Sequence, residues 1–372
     1  MKSLLLTALL FASAGDDTSV RAQLQTKLDA LRTTSGFPGA TLGVALEDGS
    51  SFGLATGLSD IEKKRPMQAN DLLLAGSVGK TFVAAVAFQL VHEKKLDLDA
   101  KVATHLGAEP WFARLPNAHD ITVRMSLGHT SGLVRYEFDS RFLADLTREP
   151  DRVWKPEELV AYLLDTQAPF AAGKGWDYSD TNYIVLGMIV ERVCGAKLYD
   201  EIARRILGPL ELTRIVPSDR RTLPGLSQGY AGDGNPFGGV DAMLADGRMA
   251  INPQFEWAGG GYATCAEDLA RWMRAFHTGR ACDAGLLAEA RIGVDAPLLG
   301  SGMKYGLGVI VWSSPIGPAF GHSGYFPGYR TEAYYFAERK VALALQINTS
   351  SNARLARAPR TMLAELAAAF AD

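Results

Sequence analysis

Strand-like patterning lies near both ends of this 372-residue chain and is scarce in its middle, and that placement narrows the folds open to it. Gly39 to Glu47 and Ser51 to Gly57 read as two β-strands joined by Asp48-Gly49, a dipeptide suited to a tight hairpin turn. Short alternating or apolar runs return at Tyr305 to Ser313, Ala319 to His322, Arg330 to Phe336 and Val341 to Ile347, with the tight connections of an antiparallel sheet. From about 104 to 296 the pattern is helical, with segments at Pro156 to Asp165, Asn182 to Val193 and Ala266 to Thr278 between Gly/Pro/Asn-rich loops. Further helices are expected at Val20 to Leu31, Leu72 to Val91 and Ala353 to Phe370. The expected class is therefore α/β: an antiparallel sheet flanked by helices, with an inserted helical lobe. One lobe comprises about 15–103 plus 297–372 and the other about 104–296, with a ligand cleft between them.

The segment Leu72 to Val91 carries the chemistry. It contains Ser77-Val78-Gly79-Lys80 and runs on almost without a polar residue to His92-Glu93-Lys94-Lys95. On a helix, residues three apart share a face, so the Lys80 amine would lie beside the Ser77 hydroxyl. A serine hydroxyl is a weak nucleophile until a base takes its proton, and a lysine serves as that base only if its surroundings disfavour the ammonium. Taken alone, Ser77 reads more readily as a helix N-cap than as a nucleophile, and Lys80 could be a solvated side chain. The apolar run Thr81 to Val86 that follows is an unusual setting for a casual lysine.

The chain is 47% hydrophobic, enough for a large core, and its formal net charge of -3 arises from interspersed acidic and basic residues. Nucleic acid is not an expected partner. Met1-Lys2, the apolar run to Phe11 and Ala12-Ser13-Ala14 have the layout of a secretory leader, with cleavage expected after Ala14. About ten apolar residues fall short of the roughly 20 that a bilayer-spanning helix needs. Residues 1–14 are thus read as a signal and 15–372 as a periplasmic or secreted domain without stable membrane insertion. Cys194, Cys265 and Cys282 are an odd set without close pairing and read as buried thiols.

Two later motifs complete the set: Tyr178-Ser179-Asp180, about a hundred residues after Ser77, and His322-Ser323-Gly324 leading into Tyr325. Between and around them stand Gly57-Leu58-Ser59-Asp60, Leu127 to Leu133, Gly259 to Thr264 with Glu267-Asp268-Leu269, and Tyr305 to Gly308. Each is weak alone, but the ordered set, from about residue 20 to the C-terminus, resembles the class C β-lactamase, DD-peptidase and esterase superfamily of serine hydrolases. The resemblance implies Ser77 as acylated nucleophile, with Lys80 and Tyr178 sharing the proton transfers. It places Asp180, His322, Gly324 and Tyr325 at the substrate, with the oxyanion hole at the Ser77 and Tyr325 amides. It implies a small-molecule or peptide substrate and neither metal nor organic cofactor.

Two positions depart from the family pattern. Asp180 stands where asparagine is usual, and an ionised carboxylate only accepts hydrogen bonds and favours a protonated Lys80. It is expected to meet a cationic or hydroxylated substrate group instead. His322 stands where β-lactamases generally carry lysine, which favours DD-peptidases, D-amino-acid peptidases and esterases over β-lactamases. Carboxylate recognition by His322 is expected to weaken above neutral pH.

Other readings fare less well. Gly76 to Thr81 superficially resembles a phosphate loop but has Leu74 where the first glycine belongs. Gly225-Leu226-Ser227-Gln228-Gly229 matches a nucleophile elbow literally, yet Pro224 before it and the Gly/Pro-rich stretch after it point to a loop. His92-Glu93 lacks the second histidine of a zinc site. The non-enzymatic alternative is a penicillin-binding or sensor module acylated without turnover. D-amino-acid peptides or esters are the leading substrates, and β-lactams the runner-up.

Overall fold

The computed structural model describes residues 12–232, 235, 236 and 240–370. Residues 1–11 of the expected leader lie outside the described residues. The first described helix, α1, is Ala12–Ser35.

The two groups of strands meet in one sheet. Its nine strands are β1 (Gly39–Ala45), β2 (Ser51–Asp60), β3 (Arg65–Pro66), β4 (Val294–Asp295), β5 (Lys304–Tyr305), β6 (Ile310–Ser314), β7 (Gly317–Phe326), β8 (Tyr329–Phe336) and β9 (Val341–Ile347). They run antiparallel in the order β3-β2-β1-β9-β8-β7-β6-β5-β4. The joint is β1 against β9, where Ala40 pairs with Ile347 and Ala45 with Ala342. The Asp48-Gly49 turn closes the β1–β2 hairpin as expected, with Gly49 at φ +97 and the Ser50 amide donating to Asp48 Oδ1 at 2.8 Å.

Side-chain size decides what covers each face. In β9, Val341, Leu343, Leu345 and Ile347 point to one core with Leu24 and Leu28 of α1 and with Leu363 and Leu366 of α5 (Pro359–Ala367, numbered after the three helices below). Ala342 and Ala344 alternate to the other face, where the small side chains let a helix lie close. That helix is α4 (Ala266–His277), which packs on β1, β8 and β9. At Gly43 a Cβ would stand 1.9 Å from the Ala266 carbonyl oxygen, so only glycine permits this approach. Residues 266–277, part of the helical stretch in the sequence, are thus a layer of the sheet.

α2 (Lys80–His92) is buried along most of its length and packs against α3 (Thr181–Cys194). Phe82 stacks on Trp272 of α4 with centroids 4.6 Å apart, and the Trp272 indole donates to Thr81 Oγ1 at 2.7 Å. Truncation of a fully buried leucine such as Leu343 in such a core costs about 2–5 kcal/mol.

Three local expectations need correction. The helix expected from Leu72 begins only at Lys80: Leu73–Leu74 is a strand paired with Tyr262–Thr264, and Gly76–Gly79 is a 3₁₀ turn. Gly76 at φ +52 supplies the break. The last helix starts at Pro359, because proline suits a first turn and not an interior, and Asn352–Arg354 is a separate 3₁₀ turn. The middle of the chain also holds the strands Ile215–Pro217 and Tyr262–Thr264. Ser227 is loop, as expected, its amide donating to Leu72 O at 2.9 Å. The three cysteines are free thiols, Cys265 and Cys282 buried and Cys194 partly so. Among the described residues no helix is long and apolar enough to cross a membrane.

Candidate active site

Ser77 reaches the floor of a cavity of about 440 Å³ through three close backbone contacts. A Cβ on Gly324 would lie 1.9 Å from Ala75 O, so β7 lies flush against the Ser77 turn only because residue 324 has no side chain. A Cβ on Gly76 would stand 2.7 Å from the Tyr325 amide nitrogen, which puts that amide beside the serine turn. Gly79 and Gly260 approach each other equally closely on the other side. The Tyr325 side chain is exposed, with the Arg330 guanidinium 4.6 Å from its ring centroid.

The 3₁₀ turn keeps Lys80 beside Ser77 although no α-helix joins them. Lys80 Nζ is 3.0 Å from Ser77 Oγ. The lysine is wholly buried and also donates to Asp180 Oδ1 and to the Gly259 carbonyl. Asp180 Oδ2 accepts from Arg135 Nη2 at 3.0 Å. Burial by itself would raise the Asp180 carboxyl, but Lys80, a hydrogen bond from Glu137 and Arg135 hold it well below the usual carboxylate range. Asp180 is therefore ionised, with Lys80 on one oxygen and Arg135 on the other, and it remains on the cavity wall.

Glu137 behaves in the opposite way. Burial, then the neighbouring charge of Asp180, push its carboxyl well up. Its Oε1 accepts from Arg135 Nε at 2.7 Å and lies 2.6 Å from Arg135 Nη2, while its buried Oε2 has no well-formed hydrogen bond. Glu256, also on the cavity wall, is lifted by burial, against the pull of Lys80, to about 8, and its buried Oε2 is unpartnered.

Tyr178 lies beneath the Lys80 amine, its ring centroid 5.1 Å from Nζ. Its hydroxyl is closed off from solvent without a well-formed hydrogen bond, and Ser77 is the hydroxyl it interacts with. Burial and the Asp180 charge raise the phenol well above its ordinary value, so it holds its proton. The segment of the Leu127 to Leu133 landmark positions this tyrosine: His129, at φ +59, packs tilted against Tyr178 with ring centroids 4.2 Å apart and accepts the Ser179 amide at Nδ1, 3.2 Å. Ser131 Oγ donates to Asn182 Oδ1 at 2.6 Å.

His322 closes the opposite wall. Its Nδ1 lies 2.6 Å from Ser323 O and its Nε2 2.9 Å from the Tyr305 hydroxyl. The carbonyl must accept, so Nδ1 carries the hydrogen and Nε2 accepts from Tyr305. Burial, then the Lys80 charge, bring the imidazole down to about 3. The expected titration near neutral pH is therefore absent: His322 is neutral well into the acid range. The cation on the cavity wall nearest β7 is Arg330.

The structure thus brings Ser77, Lys80, Tyr178, Asp180, His322, Gly324 and Tyr325 to one cavity. The sequence did not point to Arg135, Glu137 and Glu256. Arg135 and Glu137 follow the Leu127 to Leu133 landmark by two and four residues, and Glu256 precedes Gly259 by three, but nothing in their spacing relates them to Asp180. Among the described residues no cluster suited to a metal ion is present.

A profile of the Beta-lactamase family matches residues 24–368. The chain belongs to that family. It is 26% identical over 339 residues to penicillin-binding protein 4* of Bacillus subtilis, covering 87% of this chain and 70% of that one. It is 26% identical over 376 residues to esterase EstB of Burkholderia gladioli, covering 90% and 92%. A D-stereospecific amidohydrolase from a Streptomyces species superposes with a TM-score of 0.79 at 26% identity, over 94% of this chain and 98% of that one. The chain is an enzyme of this hydrolase group, and its antiparallel sheet flanked by helices is the fold of these neighbours.

Proposed function

We propose that the chain is an exported serine hydrolase that forms an acyl-enzyme on Ser77 and cleaves small peptide amides or esters, with D-amino-acid peptides foremost. The observation that carries this reading is the 3.0 Å contact between Lys80 Nζ and Ser77 Oγ at the floor of the cavity. In this mechanism Ser77 Oγ attacks the substrate carbonyl as its proton passes to Lys80. The neutral Tyr178 phenol supplies a proton to the leaving group. The amides of Ser77 and Tyr325 receive the developing oxyanion, a contribution of about 100- to 1000-fold per donor in comparable sites.

Phe138, Leu143, Phe255, Leu298 and Phe326 give the cavity an apolar wall suited to a hydrophobic side chain. A substrate carboxylate finds Arg330 rather than the neutral His322. The esterase and D-stereospecific amidohydrolase relatives favour acyl transfer from small esters and amides over β-lactam hydrolysis. On this reading residues 1–14 are removed on export, and the cavity lies between the sheet lobe, which includes α4, and the remaining helical lobe within 104–296.

The test is intact mass of the purified protein and of Ser77→Ala after exposure to a short-chain nitrophenyl ester, a penicillin and a D-Ala-D-Ala peptide, with product release followed in parallel. Turnover of ester or peptide that vanishes in Ser77→Ala is the expected result. A stable penicillin adduct without turnover of any substrate would favour a sensor, and rapid penicillin turnover a β-lactamase.

A further inference from the structure

Lys80 has a difficult position for a base, because its amine is buried against the ionised Asp180. We propose that Arg135 is a positioning residue for proton transfer at Ser77: it holds the far oxygen of Asp180, so that Lys80 can lose its proton without leaving a lone buried carboxylate. This rests on reading Ser77 and Lys80 as nucleophile and base.

With Lys80 protonated, Asp180 lies between two cations, Lys80 on Oδ1 and Arg135 on Oδ2. When Lys80 is neutral, Asp180 and Arg135 remain as a closed ion pair at 3.0 Å. Without Arg135 the same deprotonation would leave a largely buried carboxylate without a cation, a costly arrangement in a protein. Arg135 is fixed for this purpose: it lies over the Phe138 ring at 4.2 Å and its Nε donates to Glu137. The Arg135 Nη2 that meets Asp180 also lies 2.6 Å from Glu137 Oε1, and burial, then the Asp180 charge, push that carboxyl well up, which favours its neutral form beside the guanidinium.

The other titratable groups facing this cluster leave the balance intact. From α3 and its approach come Tyr178 and Tyr183, with rings 5.1 and 5.5 Å from Lys80 Nζ, both phenols raised by burial. Burial drives His129 and His322 below their ordinary value, so both are neutral near pH 7. Tyr136 and Tyr305 are likewise raised, and Glu256 ionises only near 8.

The experiment follows the rate at which a fluorophosphonate labels Ser77 as a function of pH, read by intact mass. In that step the Oγ–P bond forms, the P–F bond breaks, fluoride leaves and the serine proton goes to Lys80. The wild type, Arg135→Gln, Arg135→Lys, Asp180→Asn and the double variant Arg135→Gln/Asp180→Asn are compared, each with its thermal unfolding. Arg135→Gln is expected to move the acid limb of the profile up by at least about one pH unit, which slows labelling on that limb about tenfold. Arg135→Lys, which keeps the charge but not the fork, moves it less. The double variant returns the limb toward wild type, because the carboxylate that needed balancing is gone.

An unmoved limb in Arg135→Gln, or a double variant no better than Arg135→Gln, overturns the proposal. If Arg135→Gln fails to fold, an Arg135→Lys shift relieved by adding Asp180→Asn decides in its favour, and a shift that persists decides against it. A wild type that is not labelled at Ser77 overturns the hydrolase reading and this proposal together, whereas normal wild-type labelling with an unmoved limb overturns this proposal alone.

Discussion

Asp180 and His322 stand on opposite walls of one cavity, and burial has opposite outcomes for them. His322 has no carboxylate hydrogen-bonded to it, its two nitrogens are satisfied by a carbonyl and a phenol, and burial with the Lys80 charge outweighs the pull of Asp180, so it is neutral down to about 3. Asp180 is partly exposed, its side chain 16% accessible, but has Lys80 and Arg135 on its two oxygens, and it keeps its charge. Burial neutralises a side chain unless a partner of opposite charge is fixed in place. One wall therefore presents a neutral hydrogen-bonded surface, and the other a charged network of Lys80, Asp180 and Arg135.

The largest expected effect comes from breaking the charged wall. Asp180→Ala leaves Lys80 and Arg135 as like charges without their anion, and we expect a stability loss of about 3–5 kcal/mol in urea unfolding. A loss within the error of the measurement would mean that the pair is not closed in solution. The next effect comes from the seam between the walls. Gly324→Ala adds a methyl where Ala75 O already stands 1.9 Å away, so β7 must back off and carry the Tyr325 amide with it. Nitrophenyl-ester turnover should fall about 100-fold or more, as when an oxyanion donor is lost. Retained turnover would place the oxyanion hole elsewhere.

The neutral wall is probed more gently by His322→Gln. The unfolded imidazole titrates near its ordinary value of about 6.5 and the folded one near 3, so the wild type is stabilised fully above about 6.5 and loses that share as pH falls toward 3. The variant lacks this slope. The gap in Tm between wild type and variant should therefore be widest at neutral pH and narrow on acidification; a constant gap would contradict the neutral imidazole. The smallest effect belongs to Glu256→Gln. The Glu256 carboxyl is raised from 4.5 to about 8, so the wild type loses stability as pH rises through that window while the unfolded chain ionises. The variant should gain on the wild type as pH rises from acid to about 8, by Tm, and equal pH slopes would remove Glu256 from the list of buried acids.

Much of this was legible along the chain. The short run Val341 to Ile347 reads as the strand that it forms. Ser77 and Lys80 were legible as a pair because three residues bring them together in an α-helix or in the 3₁₀ turn that actually forms. The start of α2 was less legible, since the apolar run from Leu72 conceals a short strand and a glycine turn. Arg135 and Glu137 were not legible as site residues. A charged side chain in a loop looks solvated in sequence, and only the approach of that loop to α3 turns it into a partner of Asp180.

The sequence by itself determined the sheet built from both ends of the chain, the nucleophile and base candidates one turn apart, and the order of motifs that marks the family. These depend on periodicity and local spacing, which a single chain carries openly. The tertiary structure alone decided the charge states: an ionised Asp180, neutral Glu137 and His322, and an arginine set against the carboxylate. Those depend on burial and on contacts between residues dozens to hundreds apart, and electrostatic energy follows distance in space rather than separation along the chain.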